Sequence, residues 1–394
     1  MRLCLNESSE KLMKYRLLGK TGEKVSALGF GIMRMPMVDN DYSRIDYQAS
    51  AEMVHYAVEH GVNYLDTSWP YHSHEMSGEG DSEPFVGKIV KEIGRDKVFI
   101  ATKMPIWQIR SKADMQLIFH KQLKRLQTDY VDFYLVHNIR RLFWDNMVRL
   151  ELFSFLDSLQ REGKVRHIGF SFHGTSKLFH EALDYYDFEF CQHICNYHNL
   201  NFQAGIQGLR LAHRKGLGVI AMEPVMGGIL ADQLPKKAQE VLAATGIKRS
   251  FAGWALRWVW NRPEINFLLS GMHTLDQVKE NIALAEDADT PLTAAEMEAI
   301  DEVQRILNSY KRIPCTGCDL CSCPKDIDIR SAFEVYNDNQ VFKPISICMM
   351  TYDVALKDQG NDPVLCDNCG ECVDKCPQGI DIPYQLRKIV AKYR

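Results

Sequence analysis

Short apolar runs recur along most of the chain, separated by stretches with helical periodicity. Residues 53–71 show the pattern best. Met53, Val54, Ala57 and Val58 share one face of a predicted helix, and Gly61 supplies its stop signal. Tyr64-Leu65 then reads as a short strand ending at Asp66, with Tyr71 in the loop beyond. The same reading gives strands at 28–31, 98–101, 130–136, 165–170, 190–196, 218–221 and 265–269. Eight strands with helix-length intervals predict an α/β fold of the (β/α)₈ TIM-barrel type. A doubly wound sheet is the competitor, but no G-x-G-x-x-G follows the first strand. In a barrel the strand ends share one rim, so Asp66, Tyr71, Lys103 and His137 are expected to meet there.

The flanks read differently. Residues 1–13 form a loose tail, and 15–18 with 25–28 flank a Gly/Lys/Thr-rich turn that predicts a hairpin. Thr293 and Glu296 make a capping box that opens an amphipathic helix through Leu307. Past Tyr310 cysteine, proline and short polar gaps replace the α/β rhythm. The expected division is therefore a tail over 1–13, a barrel over 14–310 and a small cysteine-rich helical domain over 311–394.

Composition narrows the possible partners. With 47 basic and 51 acidic residues the net charge is −4, which gives no electrostatic reason to expect nucleic acid. There is no signal-peptide pattern and no apolar run of bilayer length, so a cytoplasmic protein without a membrane partner is expected. Of 12 cysteines, nine lie after residue 314. Clustered thiols without a secretion signal point to metal rather than disulfides.

The cluster spacing is informative. Cys366-x₂-Cys369-x₂-Cys372-x₃-Cys376-Pro377 is the run that holds a 4Fe–4S cluster in bacterial ferredoxins. Cys315-x₂-Cys318-x₂-Cys321-x-Cys323-Pro324 repeats the plan with a shorter last gap. The tails Cys323-Pro-Lys-Asp-Ile-Asp-Ile and Cys376-Pro-Gln-Gly-Ile-Asp-Ile mark a duplication. In two-cluster proteins the fourth cysteine ligates the other cluster, which pairs Cys315, Cys318 and Cys321 with Cys376, and Cys366, Cys369 and Cys372 with Cys323. Zinc also accepts four thiolates, but three-cysteine runs ending in Cys-Pro favour iron–sulfur. Cys4, Cys191, Cys195 and Cys348 lack such spacing and read as ordinary thiols.

The rim residues suit carbonyl reduction, which needs hydride on carbon and a proton on oxygen from an acid within about 3 Å. Tyr71 is the candidate acid, Lys103 the ammonium expected to lower its pKa, Asp66 the group aiming Lys103, and His137 a donor to the carbonyl oxygen.

Asp66, Tyr71, Lys103 and His137, together with 28–31, 163–171 and Glu280-Asn281, resemble the aldo-keto reductase family. The cysteine runs are similar to the double 4Fe–4S extension of a bacterial and archaeal subgroup. The family resemblance implies an NAD(P)H-dependent reductase of aldehydes or ketones. It places cofactor-facing residues at Gly31, Ile32, Met33 and Asp66, and the carboxamide grip at Ser171 and Gln192. Met222 and Pro224 would lie near the nicotinamide, with Ser270, Gly271, Met272, Gln277, Glu280 and Asn281 along the nucleotide. NADP-preferring members carry a Lys and an Arg where this chain has Gly271 and Gln277, so the 2′-phosphate fork is missing; Lys279 is a nearby substitute. An alternative places a flavin in the mouth, coupled through the clusters to a ferredoxin-type one-electron partner. Trp69, Trp107, Phe143 and Trp144 are candidates for an apolar pocket, and 72–81 reads as a mobile polar loop.

Overall fold

The structure is a computed structural model that describes residues 12–75, 78–318, 320–342, 351–353, 356–357 and 360–394. Strands β1 (Tyr15–Leu17) and β2 (Lys24–Ser26) pair antiparallel as the expected hairpin. Leu18 and Val25 of this hairpin join the buried cluster of Tyr64, Phe133, Phe190 and Phe267 inside the barrel, so the hairpin plugs one end of it.

The barrel strands are β3 (Leu28–Gly31), β4 (Tyr64–Asp66), β5 (Phe99–Met104), β6 (Val131–Ile139), β7 (Val165–Phe172), β8 (Phe190–Ile194), β9 (Gly218–Met222) and β10 (Phe267–Ser270). They close in the order β10-β3-β4-β5-β6-β7-β8-β9, parallel throughout. Helices α1 (Tyr47–Glu59), α2 (Ser82–Ile93), α3 (Lys112–Leu126), α4 (Arg141–Arg149), α5 (Leu152–Arg161), α6 (Ser176–Tyr185) and α7 (Gly205–Arg214) alternate with these strands. After β9 come α8 (Ile229–Asp232), α9 (Lys236–Ala244) and α10 (Phe251–Trp260), and after β10 come α11 (Leu275–Ala285) and α12 (Ala294–Ser309). Thr293 and Glu296 form the capping box of α12 in both directions.

Several strands run past their sequence-predicted ends. β5 includes Lys103, β6 continues beyond His137 to Ile139, and β7 beyond Ser171 to Phe172. Polar residues read as loop there, yet Lys103 pairs with Leu135 and Ser171 with Gln192, while His137 and Asn138 sit at a register shift between Val136 and Ile139. The two-residue period of a strand then fixes where they point. Tyr64, Ala101, Phe133 and Phe190 fill the barrel interior, so Asp66, Lys103, His137 and Gln192, at even spacing from them, also face the axis at the opposite end.

Beyond α12, helices α13 (Ile329–Val341) and α14 (Ile382–Tyr393) pack around Ile313, Ile327, Tyr352 and Leu386. Barrel-rim residues Ile194 and Phe202 belong to this same small core. The duplication is visible in the backbone. Asp328 and Asp381 each cap the helix that follows a Cys-Pro tail, and Asp326 and Gly379 take the matching left-handed position. Gly317 and Asn368, third in their respective Cys-x₂-Cys loops, are left-handed as well. Among the described residues no helix is long and apolar enough to cross a membrane.

Candidate active site

The mouth of the barrel is built on one buried ion pair. Lys103 Nζ lies 2.6 Å from Asp66 Oδ1, with side-chain exposures of 1% and 5%. The ammonium also donates to Thr67 O at 2.8 Å and to Tyr71 Oη at 3.3 Å. Gln192 Nε2 donates to the second carboxylate oxygen of Asp66 at 2.6 Å. His137 Nδ1 is 3.0 Å from Ser68 Oγ, which leaves Nε2 for a ligand. Its ring centroid is 6.2 Å from that of Tyr71 and 5.0 Å from that of Trp107. Asp66, Tyr71, Lys103 and His137 therefore share one site.

Electrostatics corrects one expectation. The Tyr71 hydroxyl is held well above the usual tyrosine range, first by burial and then by the negative charge of Asp66. Lys103 does not bring it down. Burial likewise lowers the Lys103 ammonium against the pull of Asp66. His137 is pushed well below its ordinary value first by burial and then by the positive charge of Lys103, with Arg140 adding to it. His173 falls to about 3, by burial and then Arg140. The resting mouth thus holds a neutral phenol and neutral imidazoles.

The residues expected along the cofactor fall into two groups. Gly31, Ile32 and Met33 end β3, Met222 and Pro224 end β9, and Ser270, Gly271 and Met272 end β10, on three adjacent strands. Ser171 Oγ accepts from Asn138 N at 2.8 Å, and buried Asn138 Oδ1 has no partner beside it. Such an orphaned acceptor suits an amide-bearing ligand. Other side chains are engaged elsewhere. Gln192 is committed to Asp66, Asn281 Nδ2 donates to Ser270 Oγ at 2.9 Å, and Gln277 Oε1 accepts from His273 N at 2.7 Å. Met222 leans on the C-terminal core, and the Lys279 ammonium sits 5.6 Å over the Tyr56 ring of α1. Glu280 is half-buried.

Two further expectations change. Trp69 and Trp144 are buried packing residues, leaving Trp107 against His137 as the aromatic wall. The described part of 72–81 is tied down: His72 is buried, its Nδ1 lies 2.8 Å from Tyr42 O, and Met35 N donates to its Nε2. The polar letters of that loop hid its backbone pairing. Ser68 and Arg34, in loops, and Asn138, near the end of β6, were missed because single polar residues carry no periodic signal.

The sequence model of the Aldo/keto reductase family matches residues 27–305. The chain belongs to the aldo/keto reductase family. It is accordingly an NAD(P)H-dependent oxidoreductase. L-galactose dehydrogenase of Arabidopsis thaliana is 29% identical over 321 residues, covering 76% of this chain and 96% of that one. The NADH-specific methylglyoxal reductase of Escherichia coli is 24% identical, covering 73% of this chain and 100% of that one. The holo form of an aldo-keto reductase from Bacillus halodurans superposes with a TM-score of 0.60 at 26% identity, covering 74% of this chain and 96% of that one. The family match ends before the cysteine-rich segment of this aldo/keto reductase.

In that segment Cys315, Cys318, Cys321 and Cys376 line one small cavity. Burial raises the Cys321 thiol to about 11, and the neighbours that add to it are Cys315, Cys318 and Cys376. Cys372 is likewise raised to about 11, with Cys323, Cys366 and Cys369 as its thiol neighbours. Two sets of four are therefore brought together, each three from one run and one from the other. Each donor set, four thiols, fits a thiolate-seeking metal group. Cys191 and Cys195 are buried thiols raised to about 12, and Cys4 and Cys348 lie outside the described residues.

Proposed function

We propose that this aldo/keto reductase reduces an aldehyde or ketone to an alcohol, with Tyr71 as general acid, and that its C-terminal domain carries two 4Fe–4S clusters. The observation that carries the first part is the Lys103 ammonium, within hydrogen-bond reach of Asp66, Thr67 O and the Tyr71 hydroxyl together. Bound nicotinamide supplies hydride to the carbonyl carbon, and the clusters supply one-electron redox capacity. Asp66 keeps Lys103 charged and aimed, with Gln192 fixing the other carboxylate oxygen. Tyr71, neutral at rest, gives its phenolic proton to the carbonyl oxygen, and Lys103 stabilises the phenolate that remains. His137 Nε2, free while Nδ1 pairs with Ser68 Oγ, orients that oxygen. The orphaned Asn138 Oδ1 beside Ser171 supports a carboxamide there.

Cys315, Cys318, Cys321 and Cys376 would hold one cluster, and Cys366, Cys369, Cys372 and Cys323 the other. Ile194, Phe202 and Met222 pack into the cysteine domain's core, which supports a structural part for the clusters in walling the substrate pocket.

Tyr71→Phe tests the acid. It should lower carbonyl reduction by roughly 10²–10⁴-fold while nicotinamide affinity stays the same. Full activity in that variant removes Tyr71 from the role. Iron and acid-labile sulfide assays on anaerobically purified protein test the clusters, and zinc in their place would refute them.

A further inference from the structure

Arg34, exposed at the mouth three residues past β3, has no part in the chemistry above. Its stem runs over the end of β10: a Cβ built on Gly271 would lie 3.1 Å from Arg34 Cδ and 3.4 Å from Cγ. Its tip reaches the loop after β9, where a Cβ on Gly227 would lie 3.0 Å from Nη2. In the barrel β10 stands between β3 and β9. One side chain therefore crosses a whole strand end and bridges three neighbouring loops. Its carbonyl oxygen lies 3.2 Å from His273 Nδ1, which ties its backbone to the loop after β10.

Gly271 does not lie in the left-handed region, so its backbone suits any residue. A side chain at 271 would crowd the stem of Arg34, which would have to give by a few tenths of an ångström. The guanidinium at the far end forms no ion pair among the described residues, although its charge is felt at Glu223 and Tyr42. Holding a long side chain extended over a surface costs entropy. A cation laid in this way, with no carboxylate in ion-pair range among the described residues, over three strand ends expected to face a dinucleotide, suits an anion.

We propose that Arg34 is a strap that binds a phosphate of the dinucleotide, taking in space the place of the lysine absent at 271. The proposal rests on the nicotinamide reading of the mouth. The planar guanidinium can bond a phosphate through two parallel N–H groups, whichever of the pyrophosphate and the 2′-phosphate it meets.

Calorimetric titration of iron-loaded protein with NADH and with NADPH tests the strap without relying on turnover. Arg34→Ala should weaken binding roughly ten- to hundred-fold and flatten its salt dependence, at an unchanged melting temperature. Arg34→Lys should recover part of the loss as a point charge. Equal losses for both dinucleotides assign the pyrophosphate, and a loss confined to NADPH assigns the 2′-phosphate; either supports the strap. Unchanged affinity for both in Arg34→Ala overturns it while leaving the reductase reading intact. Wild-type protein that binds neither dinucleotide overturns that reading, and the strap with it.

Discussion

The barrel mouth and the cysteine domain hold their reactive groups in opposite ways. Asp66 and Lys103 stand in the strand ladder and His137 at the irregularity between Val136 and Ile139 of β6, and each already has a protein partner. The eight clustered cysteines stand on loops and helix-flanking tails, around a core much smaller than the barrel's. At the mouth the main chain and one buried ion pair supply the order. In the cysteine domain the sulfurs converge on loops, with backbone donors such as Gly317 N to Cys315 Sγ and Lys325 N to Cys323 Sγ, both at 3.4 Å. A site of the first kind outlasts loss of its ligand, whereas a site of the second kind depends on it.

The largest effect expected follows from that contrast. Removing the proposed clusters with a chelator under reducing conditions should abolish hydrogen-exchange protection of α13 and α14, while the barrel strands stay protected. Equal protection of α13 and α14 with and without iron would erase the distinction.

Next in size is the ion pair itself. Lys103→Met leaves Asp66 buried and unpaired, and should cost about 3–5 kcal/mol of barrel stability, read by denaturant unfolding. The double variant Lys103→Met/Asp66→Leu should regain much of it while remaining inactive, because removing both charges removes the desolvation cost as well. A single variant as stable as wild type would mean that water reaches Asp66 freely.

Much of this was legible beforehand, and the limits have physical causes. The eight strands could be read because the barrel interior demands alternating apolar residues, and polar strand ends mark the mouth. The Asp66, Lys103 and His137 positions follow from the same two-residue period. The Tyr71 electrostatics did not, because a pKa reflects burial and all neighbouring charges, whereas the sequence suggested only Lys103. Arg34 was invisible for a related reason. Its meaning lies in two glycines, Gly227 and Gly271, nearly 200 and 240 positions away, and no spacing rule joins them. The loop over 72–81 looked loose because the bonds that hold its His72 come from Tyr42 and Met35, also remote in the chain.

A smaller effect concerns the seam between the two regions. His198 Nε2 lies 2.7 Å from Asp338 Oδ1, which joins the loop after β8 to α13, with both side chains buried. Asn201 Nδ2 adds a bond to Thr316 O at 3.2 Å. Asp338→Asn should cost about 1–3 kcal/mol, seen as loosening of α13 by hydrogen exchange with little change in the barrel. Loosening confined to the barrel would place the load of this contact on the wrong side.

The smallest effect separates the mouth from the opposite half of the barrel wall. His137 and His173 are held neutral by burial and nearby positive charge, so neither should titrate near neutral pH. His167, early in β7, behaves in the opposite sense. Burial works to lower it, yet Glu189 Oε2 at 2.7 Å from Nδ1 and Glu23 Oε1 at 3.4 Å from Nε2 leave it raised overall. A pKa higher in the folded than in the unfolded chain means that the imidazolium stabilises the fold. That contribution is complete below the unfolded value of about 6.5 and is lost as pH rises through the folded value. Glu189 is depressed, so its share is present above the unfolded carboxylate value of about 4.3 and is lost as pH falls through the folded one. The pair therefore stabilises most between those limits. His167→Gln should cost about 0.5–1 kcal/mol at pH 6, the pair being partly exposed, and less at pH 8.5. Thermal unfolding of iron-loaded protein at both pH values measures the difference. A penalty that grew with pH would mean that His167 is neutral in the fold, and that pH sensitivity near neutrality arises elsewhere.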